Sequence, residues 1–304
     1  MNRLFYNIKP FIPRWLQIIF RRFLIKSQIP RYREVWPILE GSAEKPEGFP
    51  GWPNNKHFAL VLTHDVETWV GHERCRELLE LERNLGFRSS FNFVPKRYEV
   101  SLELRRFIWE SGFEVGVHDL YHDGKLYSSK EIFDERAREI NWYLKEWNAK
   151  GFRSGSMHCN LSWISDLNIE YDASTFDTDP FEPQPEGTGT IFPFWVDGNE
   201  TREKYLELPY TLPQDFTLFI IMQQRNIEVW KKKLDWIAKN GGMALLTTHP
   251  DYMCWEKGKN TIEEYPIEYY EEFLNYLRYE YGMQFWNPLP RDLVGFWKKN
   301  VKTP

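Results

Sequence analysis

The 304-residue chain predicts an α/β fold, either an open parallel sheet or a (β/α) barrel, and a barrel is the expectation. Three observations carry it. From His57 onward, short apolar runs alternate with longer segments of helical period. Neither GxGxxG nor GxxxxGK[ST] occurs, so the glycine-rich phosphate loops of two common nucleotide-binding folds are missing. The polar segments with chemical potential, THDVE (63–67), VHDLYHDG (117–124) and TTHPDY (247–252), each follow a strand candidate. A barrel would bring those strand ends to one face.

In chain order, Pro13 suits the first turn of a helix running to about Lys26. Leu16, Ile19, Phe20 and Phe23 recur on one side of it, with Arg14, Gln17 and Arg21 on the other and Ile18 and Ile25 among the arginines. Two placements are open: an interfacial helix on the inner membrane face, or a helix packed on the body. Pro-rich residues 37–53 read as a linker, so residues 1–53 form an arm and 54–304 the barrel domain. FALVLT (58–63) reads as a buried strand, 72–85 as a helix ended by Gly86, SSFNFV (89–94) as the next strand and 101–111 as the next helix. FEVGV (113–117) is a third strand, and Ser128-Ser129 opens a helix over 129–148. Residues 150–215 are irregular, with short strands near 170–174, 191–195 and 205–208. TLFIIM (217–222) reads as a strand, 226–240 as a helix, MALLTT (243–248) as a strand and 266–281 as a closing helix.

Composition narrows the function classes. Residues 1–33 hold eight basic side chains and no acid, leaving 31 basic against 44 acidic residues in the rest. A mildly acidic body argues against a nucleic-acid partner, while the basic arm could meet anionic lipid. Three separated cysteines without a CxxC pair signal neither a disulfide framework nor a thiolate zinc site. The apolar run WLQIIF (15–20) is too short for a secretory signal or a membrane span, so a cytoplasmic protein is expected. Aromatic residues make up 17 % of the chain, a stock that suits a large core and also a groove for flat sugar faces. Phe192, Phe194 and Trp195 are the stacking candidates in the middle region.

His118 and His122 are four residues apart, so on a helical turn both imidazoles point the same way. Two imidazoles and one carboxylate form a common divalent-metal set, and Asp65 or Glu67 can supply the carboxylate. These two are i and i+2, hence on one side of an extended segment, and the one that does not ligate is free to handle a proton. Three protein ligands leave a position for water, as a catalytic site requires.

The ordered segments THDVE, HDLYH, GFRSG and LLTTH resemble the motifs of the polysaccharide deacetylases, carbohydrate esterase family four, over about residues 57–255. YDAST (171–175) resembles a further segment of that family. The resemblance implies a distorted (β/α) barrel of the polysaccharide deacetylase type, preceded here by a helical arm. It implies Asp65 as general base, Glu67, His118 and His122 as metal ligands, Arg153 as the residue orienting the base, and His249 as general acid. Two positions depart from the family pattern: Glu67 stands where Asp is usual, and Gly155 where Pro is usual, which would loosen the Arg153 loop.

The implied activity is metal-dependent hydrolysis of a carbon–nitrogen bond that is not a peptide bond. The metal is expected to be zinc, with cobalt, nickel or manganese as alternatives, and the substrate an N-acetylated sugar or glycan precursor in surface polysaccharide biosynthesis. A peripheral membrane contact through residues 13–26 would favour a lipid-linked precursor. Two alternatives stand beside it: an amidohydrolase acting on a small amide or cyclic imide, and a non-catalytic carbohydrate-binding protein on the same fold. His57, His64, His72 and His158 are expected to be structural.

Overall fold

The computed structural model describes residues 12–198 and 203–302; Arg3 and Lys9 of the basic arm lie outside them. Parallel pairing runs from β1 (Phe58–Val66) through β2 (Ser89–Phe93), β3 (Glu114–His118), β4 (Gly151–Arg153) and β5 (Tyr171–Asp172) to β7 (Tyr205–Glu207). β6 (Phe194–Val196) lies antiparallel on β7, and β8 (Met243–Thr248) pairs with the other edge of β1. Every residue of β1 is buried, as expected for a central parallel strand covered on both faces. The ring is not closed by a continuous ladder. Beyond β7 the chain crosses to β8, where a single parallel bridge pairs Leu212 with Leu246. The architecture is therefore the expected distorted (β/α) barrel, hydrogen-bonded around most of its circumference.

Around the sheet run α1 (Arg14–Gln28), α2 (Trp69–Leu85), α3 (Leu102–Glu110), α4 (Lys130–Glu146), α5 (Leu161–Ile164), α6 (Glu228–Asn240), α7 (Glu268–Tyr276) and α8 (Pro290–Asn300). Local chemistry sets their ends. Ser101 and Ser129 accept from the backbone N–H groups of Leu104 and Ile132 at the starts of α3 and α4. Gly86 adopts the left-handed conformation that stops α2. Two elements differ from expectation. TLFIIM is not a strand: Phe216–Ile221 forms a π-helical turn begun by Asp215, whose carboxylate accepts from Phe216 N. Thr217 through Ile221 are all buried, and a run apolar on every side carries no period to tell strand from helix. Nor is 266–281 the last helix. α8 follows, with Pro290 and Asp292 in its first turn and Leu293, Val294 and Trp297 buried.

α1 packs with its basic side inward. Ile18 and Ile25 are buried, flanked by arginines that reach the barrel: Arg14 to Glu263 and Tyr252, Arg21 to the Phe181 carbonyl, and Arg22 to the carbonyls of Ile220 and Ile262. Trp15, Ile19, Phe20, Phe23 and Leu24 remain exposed, Phe23 to 78 %. Residues 37–53 lie against the body. Trp52 Nε1 donates to Gly241 O at 2.8 Å, and Phe49 stacks on Trp297. The fully buried Lys233 ammonium joins this segment to the barrel, donating to Pro37 O and to Asp177 Oδ2 at 2.5 Å each.

Removing one partner of such a pair leaves an uncompensated buried charge. Lys233→Met should therefore destabilise the protein by about 3–5 kcal/mol in urea unfolding. The double variant Lys233→Met/Asp177→Asn should recover part of that loss.

Candidate active site

β1, β3, β4 and β8 end at one face, and each delivers a group there. Asp65 lies near the end of β1, with Glu67 just beyond it. His118 ends β3, Arg153 ends β4, and His249 follows β8. One ligand atom from each of Glu67, His118 and His122 lies within 4.8 Å of the others, so the carboxylate grouped with the two imidazoles is Glu67. Among the described residues, Nε2 of His118 is buried without a hydrogen-bond partner, and Nε2 of His122 faces Glu67 Oε1 at 3.2 Å. His118 Nδ1–H donates to Arg153 O at 3.1 Å, which leaves the Nε2 lone pair free to ligate. Burial pushes His118 down to about 4, with the Asp65 charge opposing only in part, so the ring stays neutral at ordinary pH. These features fit a divalent ion. At His122, Arg97 donates to Nδ1 at 3.0 Å, which puts the neutral ring's proton on Nε2; ligation through Nε2 requires the other tautomer.

HDLYH is not the helical turn the spacing suggested. Asp119 and His122 both take left-handed backbone conformations (φ 54° each), and this loop brings the two imidazole centroids to 4.8 Å. Gly155 has a role that the sequence did not suggest. A Cβ there would lie 2.4 Å from Asp119 Oδ2 and 3.0 Å from His122 Cδ2, so glycine permits the close approach of the histidine loop.

Asp65 is fixed from three sides. Asn92 Nδ2 donates to Oδ1 at 2.9 Å, Arg153 Nε lies 3.3 Å from the same oxygen, and His118 Nε2 is 4.0 Å from Oδ2. Asn92 crosses Gly116, where a Cβ would fall 2.1 Å from its Oδ1. Burial works to raise the Asp65 carboxyl, but Arg153 and then the neighbouring histidines hold it below its ordinary value. Arg153, itself fully buried, also donates to Thr247 Oγ1 at 2.6 Å and Thr63 Oγ1 at 3.0 Å.

His249 has the opposite environment. Its Nδ1 lies 2.7 Å from Asp215 Oδ1, its backbone N donates to Oδ2 at 2.7 Å, and Tyr265 O–H donates to that oxygen at 2.9 Å. Burial would lower the imidazole, but Asp215 first and then Glu67 and Asp65 push it up to about 10. Its Nε2 stands 4.0 Å from Glu67 Oε1. Glu67 also accepts from Tyr252 O–H at 2.9 Å, while its backbone N donates to Asp251. Tyr252 in turn accepts from Arg14 of α1, so the arm reaches the site through one phenol.

All six expected site residues therefore converge. The sequence did not single out Asp215, Asn92, Tyr252 or Asp251. Tyr252 and Asp251 lay within the quoted TTHPDY segment, but no spacing marks Asp215 or Asn92. The cavity of about 630 Å³ above the site is lined by Phe216 and Tyr252, and by Arg14, Gln17 and Arg21 from α1. Phe192, Phe194 and Trp195 do not line it. Phe192 is core, packed on Phe49, and Phe194 and Trp195 belong to the edge strand β6. His64 is structural, held between Thr248 and Glu82, and His72 accepts from Ser101 N beside the Trp69 ring.

No protein-family model and no curated protein sequence matches the chain. Solved structures do. A protein described as a polysaccharide deacetylase of Mycobacterium smegmatis superposes with TM-score 0.65 at 16 % identity, over 86 % of this chain and 96 % of that one. Puue allantoinase gives TM-score 0.65 at 16 % identity, over 85 % and 95 %. A protein described as a polysaccharide deacetylase of Pseudomonas aeruginosa PAO1 gives 0.63 at 16 %, over 85 % and 96 %. The chain has the fold of the polysaccharide deacetylases.

Replacing Asp215 by Asn removes the leading cause of the raised His249 value. The His249 imidazole, followed by NMR, should then titrate at a lower pH than in the wild type, where Asp215 pushes it up to about 10.

Proposed function

We propose that the protein is a metal-dependent deacetylase that removes an N-acetyl group from a sugar, in the biosynthesis of surface polysaccharide. The observation that carries this is the Glu67–His118–His122 set with a carboxylate base and a cationic imidazole on its flanks, two titratable groups driven apart by their surroundings. Glu67, His118 and His122 would hold the ion, zinc by preference, with cobalt, nickel or manganese suited to the same donors. When bound, such an ion polarises an acyl oxygen and acidifies a water. Asp65, kept ionised and aimed by Arg153 and Asn92, takes the proton of the attacking water. His249 Nε2–H gives a proton to the departing amine, and Asp215 stabilises the imidazolium that must exist before that transfer. Acetate and the free amino sugar leave.

Phe216 and Tyr252, with ring centroids 5.0 Å apart, are the aromatic surfaces the cavity offers a sugar. A cyclic imide or small amide is the second substrate class, favoured by the equal superposition on Puue allantoinase. A cavity of about 630 Å³ that extends to the arm suits the larger ligand.

Residues 1–53 are proposed as an arm that contacts the inner membrane face through residues 13–26. α1 turns Trp15, Ile19, Phe20, Phe23 and Leu24 outward, with Lys26, Arg31 and Arg33 exposed beside them. No helix among the described residues is long and apolar enough to cross a membrane, so the contact would be interfacial.

Elemental analysis should find about one divalent ion per wild-type chain and none in His118→Ala. Asp65→Asn should abolish acetate release while retaining the ion. Wild type without metal after soaking in zinc would refute the proposal, and turnover by Asp65→Asn would refute the role of the base. Ring opening of an imide without acetate release from acetylated sugars would select the second class. In flotation assays the protein should rise with phosphatidylglycerol-rich vesicles, and Phe20→Glu/Phe23→Glu should reduce the bound fraction about tenfold.

A further inference from the structure

The cavity over the metal ligands does not end at α1. Arg14, Gln17, Arg21, Glu182 and Phe216 line it, and the same five line a second cavity of about 540 Å³ that continues along the helix. Beyond this junction the walls turn apolar, supplied by Phe20, Leu24, Ile25, Tyr32, Phe181 and Ile221. Phe20 and Leu24 also belong to the exposed face of α1, so the groove runs from the site to the surface assigned above to the bilayer.

We propose that this groove holds the hydrocarbon chain of a substrate in which the N-acetylated sugar is joined to a lipid through a phosphate. The sugar lies over Glu67, His118 and His122, and the phosphate at the Arg14–Arg21 junction. This rests on the deacetylase reading and names its substrate class. A polymer would need a polar trough open on both sides of the metal ligands, whereas one side here is walled by α1 and becomes apolar.

The junction has the charge a phosphate needs. Among the described residues, Arg21 donates only to Phe181 O, at 3.4 Å, while its guanidinium sits 5.3 Å from the Phe216 ring. Arg14 contributes a second guanidinium 5.5 Å from the same ring, and Arg97 and Lys125 line the site cavity. The acids nearby are already engaged. Glu263 pairs with Arg14, and Glu182 accepts from Tyr210 and Gln214 while burial raises its carboxyl against the pull of Arg21.

Calorimetry on the full chain with decyl phosphate, below its critical micelle concentration, tests the subsite without reading turnover. Each buried methylene is worth about fourfold in affinity, so decyl phosphate should bind at least about 100-fold more tightly than inorganic phosphate. It should also bind more tightly than decyl glucoside, which has the same chain and no charge. Gln28→Trp, which narrows the groove from α1, should weaken decyl phosphate at least tenfold and leave inorganic phosphate unchanged. Arg21→Gln should close the gap between decyl phosphate and decyl glucoside. Equal binding of the two phosphates, or indifference to Gln28→Trp, would overturn the lipid subsite while leaving the deacetylase proposal intact. Deleting residues 1–11 should leave the affinity unchanged; a rise would make that segment the occupant and overturn the proposal. Tight, Gln28-sensitive binding without acetate release from any acetylated sugar would support the subsite and count against the activity.

Discussion

The buried Arg153–Asp65 pair is the constraint on which the site depends. Arg153 is wholly excluded from solvent, and its guanidinium joins three strands: its own β4, β1 through Thr63 and Asp65, and β8 through Thr247. A buried cation is tolerated only where a charge and hydrogen bonds compensate it, so the pair ties the charge state of Asp65 to the integrity of the barrel centre. The carbonyl of the same residue accepts from His118 Nδ1 and from Asp119 N, so Arg153 orients both the carboxylate proposed as base and a metal-ligand candidate.

The remaining groups divide into two environments a few ångströms apart. Asp65 meets cations and an amide donor, and is held as an anion. His249 meets Asp215, with Tyr265 anchoring that carboxylate, and is held as a cation. Glu67 lies between them, close to His122 and farther from His249. Hydrolysis of an amide needs this asymmetry, because the proton removed from water and the proton given to the amine are handled on different sides of the carbonyl.

α1 reverses the usual order of an amphipathic helix. Its arginines face the protein, Arg14 meeting Glu263 and Tyr252 and Arg22 two backbone carbonyls, while its larger apolar side chains face outward. Ile18 and Ile25, which blur the pattern in the sequence, are the two residues that seat it. The arm is therefore at once a wall of the site cavity and the bearer of an exposed apolar face. This joins the chemistry of the site to the question of where the substrate is carried.

The sequence by itself determined the alternation of strands and helices, because their periods are local, and the six residues at strand ends, because their types and order form recognisable motifs. It also offered the wrong local geometry for His118 and His122, since the left-handed turns at Asp119 and His122 depend on the space that Gly155 leaves. Asp215, Asn92 and the inward arginines of α1 were decided only by the tertiary structure. Asp215 meets His249 across 34 residues, Asn92 meets Asp65 across 27, and Arg14 meets Tyr252 across 238. No local pattern encodes such partners, because what selects them is the burial of a charge, and burial exists only once the barrel has formed.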